Sequence, residues 1–220
     1  MSKTVAILGN GVVGMAIGRG FSELGHEVVF GTRSPAGEKS RQALAAVPGS
    51  RAASGAEAVA AVAAGGFVVV ALPWSGLREG IEQAGAGRLS GKILIDAVNP
   101  LDFSTGTPTL AVGFDDSAGE TLQRLAPAAK VVKAFNIITA SHMYKPDFGD
   151  GVPDMFIAGN DAGAKSAVSG LLGQFGWRRP IDMGDIGASR LLEPLAMVWI
   201  SYGFRNNHWT HGFSLLGRKD

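Results

Sequence analysis

One stretch, residues 4–34, constrains the fold of this chain more than any other. It starts with the apolar run TVAIL, continues through the turn GNGVVG, and then has helical character as far as Leu24. A second apolar run at residues 28–30 follows and leads into Gly31. This order of strand, glycine turn, helix and strand is typical of a dinucleotide-binding unit.

The glycines of the turn have different physical roles. Gly9 lets the chain leave the strand with backbone angles that a side chain opposes. Gly11 lets a pyrophosphate approach the main chain, Gly14 lets the helix pack closely on the sheet, and the helix N-terminus favours an anion. Glycine is common in this chain, at 32 of 220 residues, so the strand and helix around the motif matter more than the motif alone. The alternative is a glycine turn without a ligand.

The end of the second strand indicates which dinucleotide is bound. NAD sites usually place Asp or Glu there, about 20 residues after the glycines, to bind the ribose 2′-hydroxyl. Here the strand is followed by Thr32, Arg33 and Ser34. A guanidinium and two hydroxyls suit a 2′-phosphate, and Lys39 adds a second positive charge. We therefore predict NADP(H) rather than NAD(H), the alternative being that Arg33 is only a solvated surface charge.

Later segments predict the rest of the sheet. Runs that are apolar throughout are buried on both faces, as in a parallel sheet. The predicted strands are residues 51–53, 67–72, 93–97, 130–135, 154–158 and 177–183. We predict an α/β fold, a Rossmann-type doubly wound parallel sheet with a small C-terminal helical extension. The ligand crevice then lies beyond the carboxyl ends of the strands.

We predict an NADP-binding domain over residues 1–184 and a helical segment over residues 185–220. The apolar residues of that segment recur at helical spacing in two neighbouring stripes: Leu191, Leu195, Val198 and Tyr202, and beside them Leu192 and Trp199. Such a broad apolar helix packs on its own sheet or on a second copy of the chain. Residues 101–116 are predicted as an irregular surface loop, the alternative being a mobile flap, and residues 137–143 as a short helix.

Composition bears on the partners and the location. The net charge is +1 and cysteine is absent. The charge gives no reason to expect a nucleic acid partner, and the lack of thiols excludes disulfides and cysteine catalysis. No apolar run approaches the ~20 residues that cross a bilayer, and no secretion signal is visible. We expect a cytoplasmic protein with no metal site and no membrane partner.

Several segments resemble a known family. The runs ILGNGVVG and FGTR, the turn LPW and the segment GASRLLE resemble the NADPH-dependent F420 reductases. Residues 92–100, the run VVKAFN and Gly184 are similar to the cytosolic NADPH-binding domain of the six-transmembrane ferric reductases. The resemblance covers nearly the whole chain. It implies a Rossmann domain, usually in a homodimer, that transfers hydride between NADPH and a small redox acceptor such as F420, FMN or FAD.

The resemblance also implies which residues bind. Those at the pyrophosphate are Asn10, Gly11, Val12 and Val13, and those at the 2′-phosphate are Thr32 and Arg33. Those on the path to the nicotinamide are Leu72, Pro73, Trp74, Asn99, Pro100 and Leu101, with Asn136 and Ala140 beside its carboxamide and the acceptor. The F420 reductases often carry histidine and proline at the positions of Asn136 and Thr139, so the acceptor stays open.

No catalytic acid or base is predicted. Hydride transfer between two flat rings requires stacking and exclusion of water rather than a proton acceptor. His142 is the nearest candidate, and a structural role is favoured for it.

Two other functions stay open. The chain could be an NADPH-binding module with little turnover, a sensor or an electron relay to a partner protein. Reduction of a small imine or acid is a third reading, but only about 35 residues follow the Rossmann part, too few for a large helical dimerisation domain.

Overall fold

The computed structural model describes residues 3–149 and 151–217. The strands are β1 (Thr4–Leu8), β2 (Glu27–Gly31), β3 (Arg51–Ala53), β4 (Phe67–Val70), β5 (Ile93–Asp96), β6 (Leu101–Asp102), β7 (Thr109–Leu110), β8 (Lys130–Lys133), β9 (Met155–Gly159) and β10 (Pro180–Asp182). The helices are α1 (Val12–Glu23), α2 (Glu38–Ala46), α3 (Gly55–Ala60), α4 (Leu77–Ala84), α5 (Ala118–Leu125), α6 (Ala162–Gln174) and α7 (Ser189–Asn206).

Eight of these strands form one sheet in the order β3-β2-β1-β4-β5-β8-β9-β10. The first six run parallel in the Rossmann order, with β8 in the sixth place. The predicted Rossmann-type doubly wound sheet is therefore confirmed. The exceptions are β9, which pairs antiparallel with β8, and β10, which pairs parallel with β9. The described residues between β8 and β9 contain no α-helix, and an antiparallel neighbour needs no crossover helix.

Helices cover both faces of the sheet. Successive side chains of a strand point to opposite faces, so Ile7 packs in the apolar layer that contains residues of α1, α2 and α6. Ala6 and Leu8 face the opposite layer, which contains residues of α3, α4 and α5. The central strands are buried on both faces, as their unbroken apolar runs predicted.

Two predicted elements are wrong in detail. Residues 101–116 contain a short hairpin of β6 and β7 rather than only an irregular loop. The Asp102 carboxylate accepts a hydrogen bond from the Ser104 N–H at 2.8 Å, and Gly106 adopts a φ of 83°, which together reverse the chain. Residues 137–143 form only one 3₁₀ turn, Ala140–His142, because Ile137 and Ile138 are buried in an irregular connection.

The two apolar stripes of helix α7 are buried to different extents. Leu192 and Trp199 are buried beside Ile137. Of the other stripe, Leu195 packs partly against this cluster, whereas Val198 is 57% and Tyr202 50% accessible. Among residues 3–149 and 151–217, no helix has the length and apolar character that a membrane span requires.

Candidate dinucleotide-binding site

The turns after β1, β2 and β4 meet at the carboxyl edge of the sheet and enclose a cavity of about 520 Å³. This is the size range of small-molecule sites. Nine of the residues predicted to bind a coenzyme line the cavity: Gly9, Asn10, Gly11, Thr32, Arg33, Ser34, Lys39, Leu72 and Pro73. The structure therefore brings the glycine turn and the basic cluster into one space, although 21 or more residues separate them in sequence.

The fold itself requires two glycines of the turn. Gly9 has a φ of 111°, and a Cβ there would overlap the carbonyl oxygen of Ala71, the first residue after β4. A Cβ on Gly14 would overlap the carbonyl oxygen of Gly9. Gly11 is different, because its φ is −83° and a Cβ there would meet no atom within 4 Å. The folded chain has no need of glycine at this position, whereas a ligand lying against the main chain would need it.

The N-terminus of α1 faces the cavity without a capping side chain. Gly11 is the N-cap residue and offers no side-chain oxygen to the first N–H groups of the helix. Asn10, which precedes the N-cap, donates from its Nδ2 to Ser40 Oγ at 3.1 Å. Ser40 in turn donates to the Ser34 carbonyl at 2.7 Å. These bonds fix the glycine turn against the loop after β2 and leave the helix N–H groups for an anion.

The basic end of the cavity is open to solvent. Arg33 is 77% exposed, and its Nη1 lies 3.7 Å from the carboxylate of Glu79. An exposed pair at this distance contributes little to stability, so the guanidinium can turn towards a phosphate. Thr32 and Ser34 are joined by a hydrogen bond of 3.3 Å from the Ser34 N–H to Thr32 Oγ1.

Some cavity residues were not predicted from the sequence. Glu79 and Gln83 line the wall opposite Arg33, and Gln83 donates to Glu79 at 2.9 Å. Their spacing of four residues on α4 places them on one face of that helix, but nothing in the sequence marked this face as a ligand wall. Gly55, Gly76 and Gly80 complete it.

The remaining predicted residues do not line this cavity. They are Val12, Val13, Trp74, Asn99, Pro100, Leu101, Asn136 and Ala140. Val12 and Val13 form the first turn of α1. Asn99 and Asn136 lie together, since Asn136 Nδ2 donates to Asn99 Oδ1 at 3.1 Å and Asn99 Nδ2 donates to the Asn136 carbonyl at 2.7 Å. Because they follow β5 and β8, they extend the same carboxyl edge beyond the cavity.

Two other kinds of site were considered in the sequence, a metal site and a role for His142. Within the parts of the chain that the structure describes, no group of three or more His, Asp or Glu side chains could hold a metal ion. The ring of His142 packs on Phe148, with ring centroids 4.4 Å apart.

A family model and a solved structure place the chain with the coenzyme F420-dependent NADP oxidoreductases. Residues 4–100 match the family model described as NADP oxidoreductase, coenzyme F420-dependent. A candidate F420-dependent NADP reductase from Arthrobacter sp. FB24, solved at 1.70 Å, has a TM-score of 0.92 and 37% identity, covering 98% of this chain and 100% of that chain.

Two curated relatives match part of the chain. The F420-dependent NADP reductase of Methanocaldococcus jannaschii is 30% identical over 144 residues, which is 64% of this chain and 63% of that protein. Metalloreductase STEAP3 of Rattus norvegicus is 35% identical over 112 residues, which is 51% of this chain and 21% of that protein. This chain therefore spans less than two thirds of the length of either relative.

Proposed function

Because the chain belongs to the family of coenzyme F420-dependent NADP oxidoreductases, we propose that it transfers hydride between NADPH and a deazaflavin or flavin acceptor. The family resemblance predicted from the sequence is confirmed, as is its similarity to the ferric reductases. The chain is thus an NADP-dependent oxidoreductase by family. The acceptor, F420, FMN or FAD, and the residues that bind are the proposal.

One observation carries the proposal: the uncapped start of α1 and the basic cluster after β2 line the same cavity. In the proposed complex the N–H groups of the first turn of α1 hold the pyrophosphate. Arg33 and Lys39 bind the 2′-phosphate, with the hydroxyls of Thr32 and Ser34. The open space beside Gly11 supports a ligand in contact with the main chain.

The other half of the coenzyme is assigned to the remaining residues. Rossmann sheets bind a dinucleotide across two halves, of which the second is formed here by β4, β5 and β8. The residues proposed to face the nicotinamide half are Leu72, Pro73, Trp74, Asn99, Pro100, Leu101, Asn136 and Ala140. When bound, NADPH supplies the hydride, and the side chains hold its ring and exclude water.

The exposed stripe of α7 supports the proposal that the chain is a homodimer. Leu191 and Val198 present an apolar surface that is 64% and 57% accessible, and Tyr202 beside them is 50% accessible although its ring contacts that of His211. A second copy would bury this surface by pairing the same stripe across a twofold axis.

The acceptor is tested by following NADPH absorbance with F420, FMN, FAD and a ferric chelate in turn. The proposal expects oxidation of NADPH with F420 or with a flavin. Tight NADPH binding without oxidation in any of these mixtures would instead support the binding-module alternative. Oxidation with the ferric chelate alone would contradict the proposed acceptor.

The coenzyme pocket is tested by Arg33→Ala. We expect NADPH affinity to fall about tenfold or more, because a charge-assisted bond to phosphate is lost, while NADH affinity stays within about twofold. Arg78→Ala is the control, since Arg78 lies on α4, is equally exposed and does not line the cavity. Equal losses of NADPH and NADH affinity in Arg33→Ala would refute the phosphate pocket.

A further inference from the structure

A buried group of charges lies next to the nicotinamide half of the crevice. Lys133, the last residue of β8, places its Nζ 2.7 Å from Asp96 Oδ2 and 2.8 Å from Glu193 Oε1. All three side chains are at most 1% exposed. The same ammonium donates to the Val98 carbonyl at 2.7 Å, and Asp96 Oδ1 accepts from the Val98 N–H at 2.9 Å. The triad therefore fixes the turn that leads to Asn99.

Glu193 connects this triad to α5 and α7. Its oxygens accept hydrogen bonds from the backbone N–H groups of Ala118 at 2.9 Å and Gly119 at 3.0 Å, in the first turn of α5. A helix N-terminus stabilises a carboxylate there. Burial raises the pKa of Glu193, although the Lys133 ammonium opposes this effect and the Asp96 carboxylate adds to it.

Lys133 remains an ammonium within the triad. Burial acts to lower its pKa, but Asp96 and Glu193 outweigh burial and hold the pKa above its ordinary value. A buried charge of this kind is retained only where partners satisfy it, and here two carboxylates and a carbonyl do so.

The side-chain amides of Asn99 and Asn136 complete a closed ring of hydrogen bonds and ion pairs with these charged groups. Asn136 Nδ2 donates to the Leu192 carbonyl at 3.0 Å as well as to Asn99. Leu192 and Glu193 are neighbours on α7, so that helix is bonded both to the amide pair and to the triad. The ring runs from Glu193 through Lys133 to the turn of Asn99, and from there through Asn136 back to α7.

The backbone between Lys133 and Asn136 is strained. Phe135 has a φ of 64°, a left-handed conformation that is unfavourable for a bulky residue. Strain of this kind persists only where the surroundings hold the backbone in place. The bonds of Lys133 and Asn136 supply two such fixed points on either side of Phe135.

We infer that Lys133 and Glu193 are positioning residues that hold the Asn99–Asn136 pair at the nicotinamide end of the crevice. The inference rests on the proposed function, in which the turns after β5 and β8 face the nicotinamide half. The position of α7 on the sheet then determines how tightly the protein binds the nicotinamide half of the coenzyme. The adenosine half depends on the glycine turn and Arg33, which the ring does not include.

The test compares two ligands, NADPH and adenosine 2′,5′-bisphosphate, which lacks the nicotinamide half. Calorimetric titration of Glu193→Gln should show NADPH affinity about tenfold lower and the bisphosphate affinity within about twofold of wild type. Arg190→Gln is the matched control. Arg190 also joins α7 to α5, through Glu120 at 2.6 Å, but it has no bond to the ring. Both affinities should stay within about twofold in this control.

A second variant covers the case in which Glu193→Gln fails to fold. The triple change Asp96→Asn, Lys133→Met and Glu193→Gln removes all three charges, and a neutral replacement of a buried ionic group is often tolerated. It should show the same selective loss of NADPH affinity.

Each outcome has a separate meaning. Failure of wild type to bind the bisphosphate would overturn the proposed function, whatever the variants do. If wild type binds it but NADPH affinity is unchanged in the variants, the inference is wrong. Equal weakening of both ligands, or the same loss in Arg190→Gln, would show that the ring only supports the fold.

Discussion

Replacement of Gly11 by alanine separates what the fold needs from what the coenzyme needs. At φ −83° and ψ −174° alanine is unstrained, and its Cβ would meet no atom within 4 Å. Two small effects on stability oppose each other. Alanine loses less conformational entropy on folding, about 0.4–1 kcal/mol in its favour, but it is a poorer N-cap than glycine by a similar amount. The net change should stay within about 1 kcal/mol, a shift in Tm of about 4 °C at most.

Gly11→Ala should weaken coenzyme affinity far more than it changes the free energy of unfolding. The added methyl group occupies the space where the pyrophosphate is proposed to lie against the main chain. Displacement of the anion weakens its hydrogen bonds to the N–H groups of α1, each of which contributes about 1.5–3 kcal/mol. A loss of about 3 kcal/mol corresponds to a Kd about 100-fold higher. NADH should weaken by the same factor, because it carries the same pyrophosphate.

Calorimetric titration with both coenzymes, together with thermal unfolding, tests this expectation. Gly170→Ala is the matched control. Gly170 lies in α6, outside the cavity lining, and a Cβ there also meets no atom within 4 Å. It should leave both affinities unchanged. The reasoning is refuted if Gly11→Ala binds NADPH as tightly as wild type while remaining folded.

Two further predictions concern the helices around the site. Arg190 lowers the pKa of Glu120, so the stabilising contribution of Glu120 is present above about pH 4.5 and lost as the pH falls. Burial raises the pKa of Glu193, so its contribution is greatest below about pH 4.5 and declines as the pH rises through the raised value. Urea unfolding between pH 3 and 8 should show the stability advantage of wild type over Glu120→Gln growing from pH 3 to about pH 5 and then staying constant. The advantage of wild type over Glu193→Gln should instead shrink as the pH rises above about 4.5. Parallel trends in the two variants would contradict this. On the exposed stripe of α7, Val198→Glu should convert the proposed homodimer into a monomer in size-exclusion chromatography with light scattering, whereas Ser166→Glu on α6 should not. A monomeric wild type would refute the dimer.

The cavity lined by the glycine turn and Arg33 could be predicted because its sequence signals are local. Gly9 and Gly14 are required by backbone angle and close packing, and both requirements act within one strand–turn–helix unit. Arg33 follows β2 directly, so the register of a parallel sheet brings it to the glycine turn. Lys39, in the first turn of α2, lines the same cavity. Local pattern and sheet topology together were sufficient here.

Helix α7 shows a limit of predictions from hydrophobic periodicity. Both apolar stripes repeat at helical spacing, so the spacing does not indicate which stripe is buried. Burial of Leu192 rather than Leu191 is decided by contacts with Ile137 and Ala158, which belong to distant parts of the chain. The hairpin of β6 and β7 was missed for a related reason, since two-residue strands are too short for an alternating pattern to be read.

The buried triad of Asp96, Lys133 and Glu193 could not be predicted from the sequence. Strand β8 reads KVVK, and lysines at both ends of a strand usually remain in solvent. Lys130 does so, and it pairs with Asp161 at the surface. Lys133 is buried because the parallel register of β5 and β8 sets it beside Asp96, and because α7 then covers both with Glu193. The charged bonds that join α7 to the turn before Asn99 therefore depend on three segments that only the folded chain brings together.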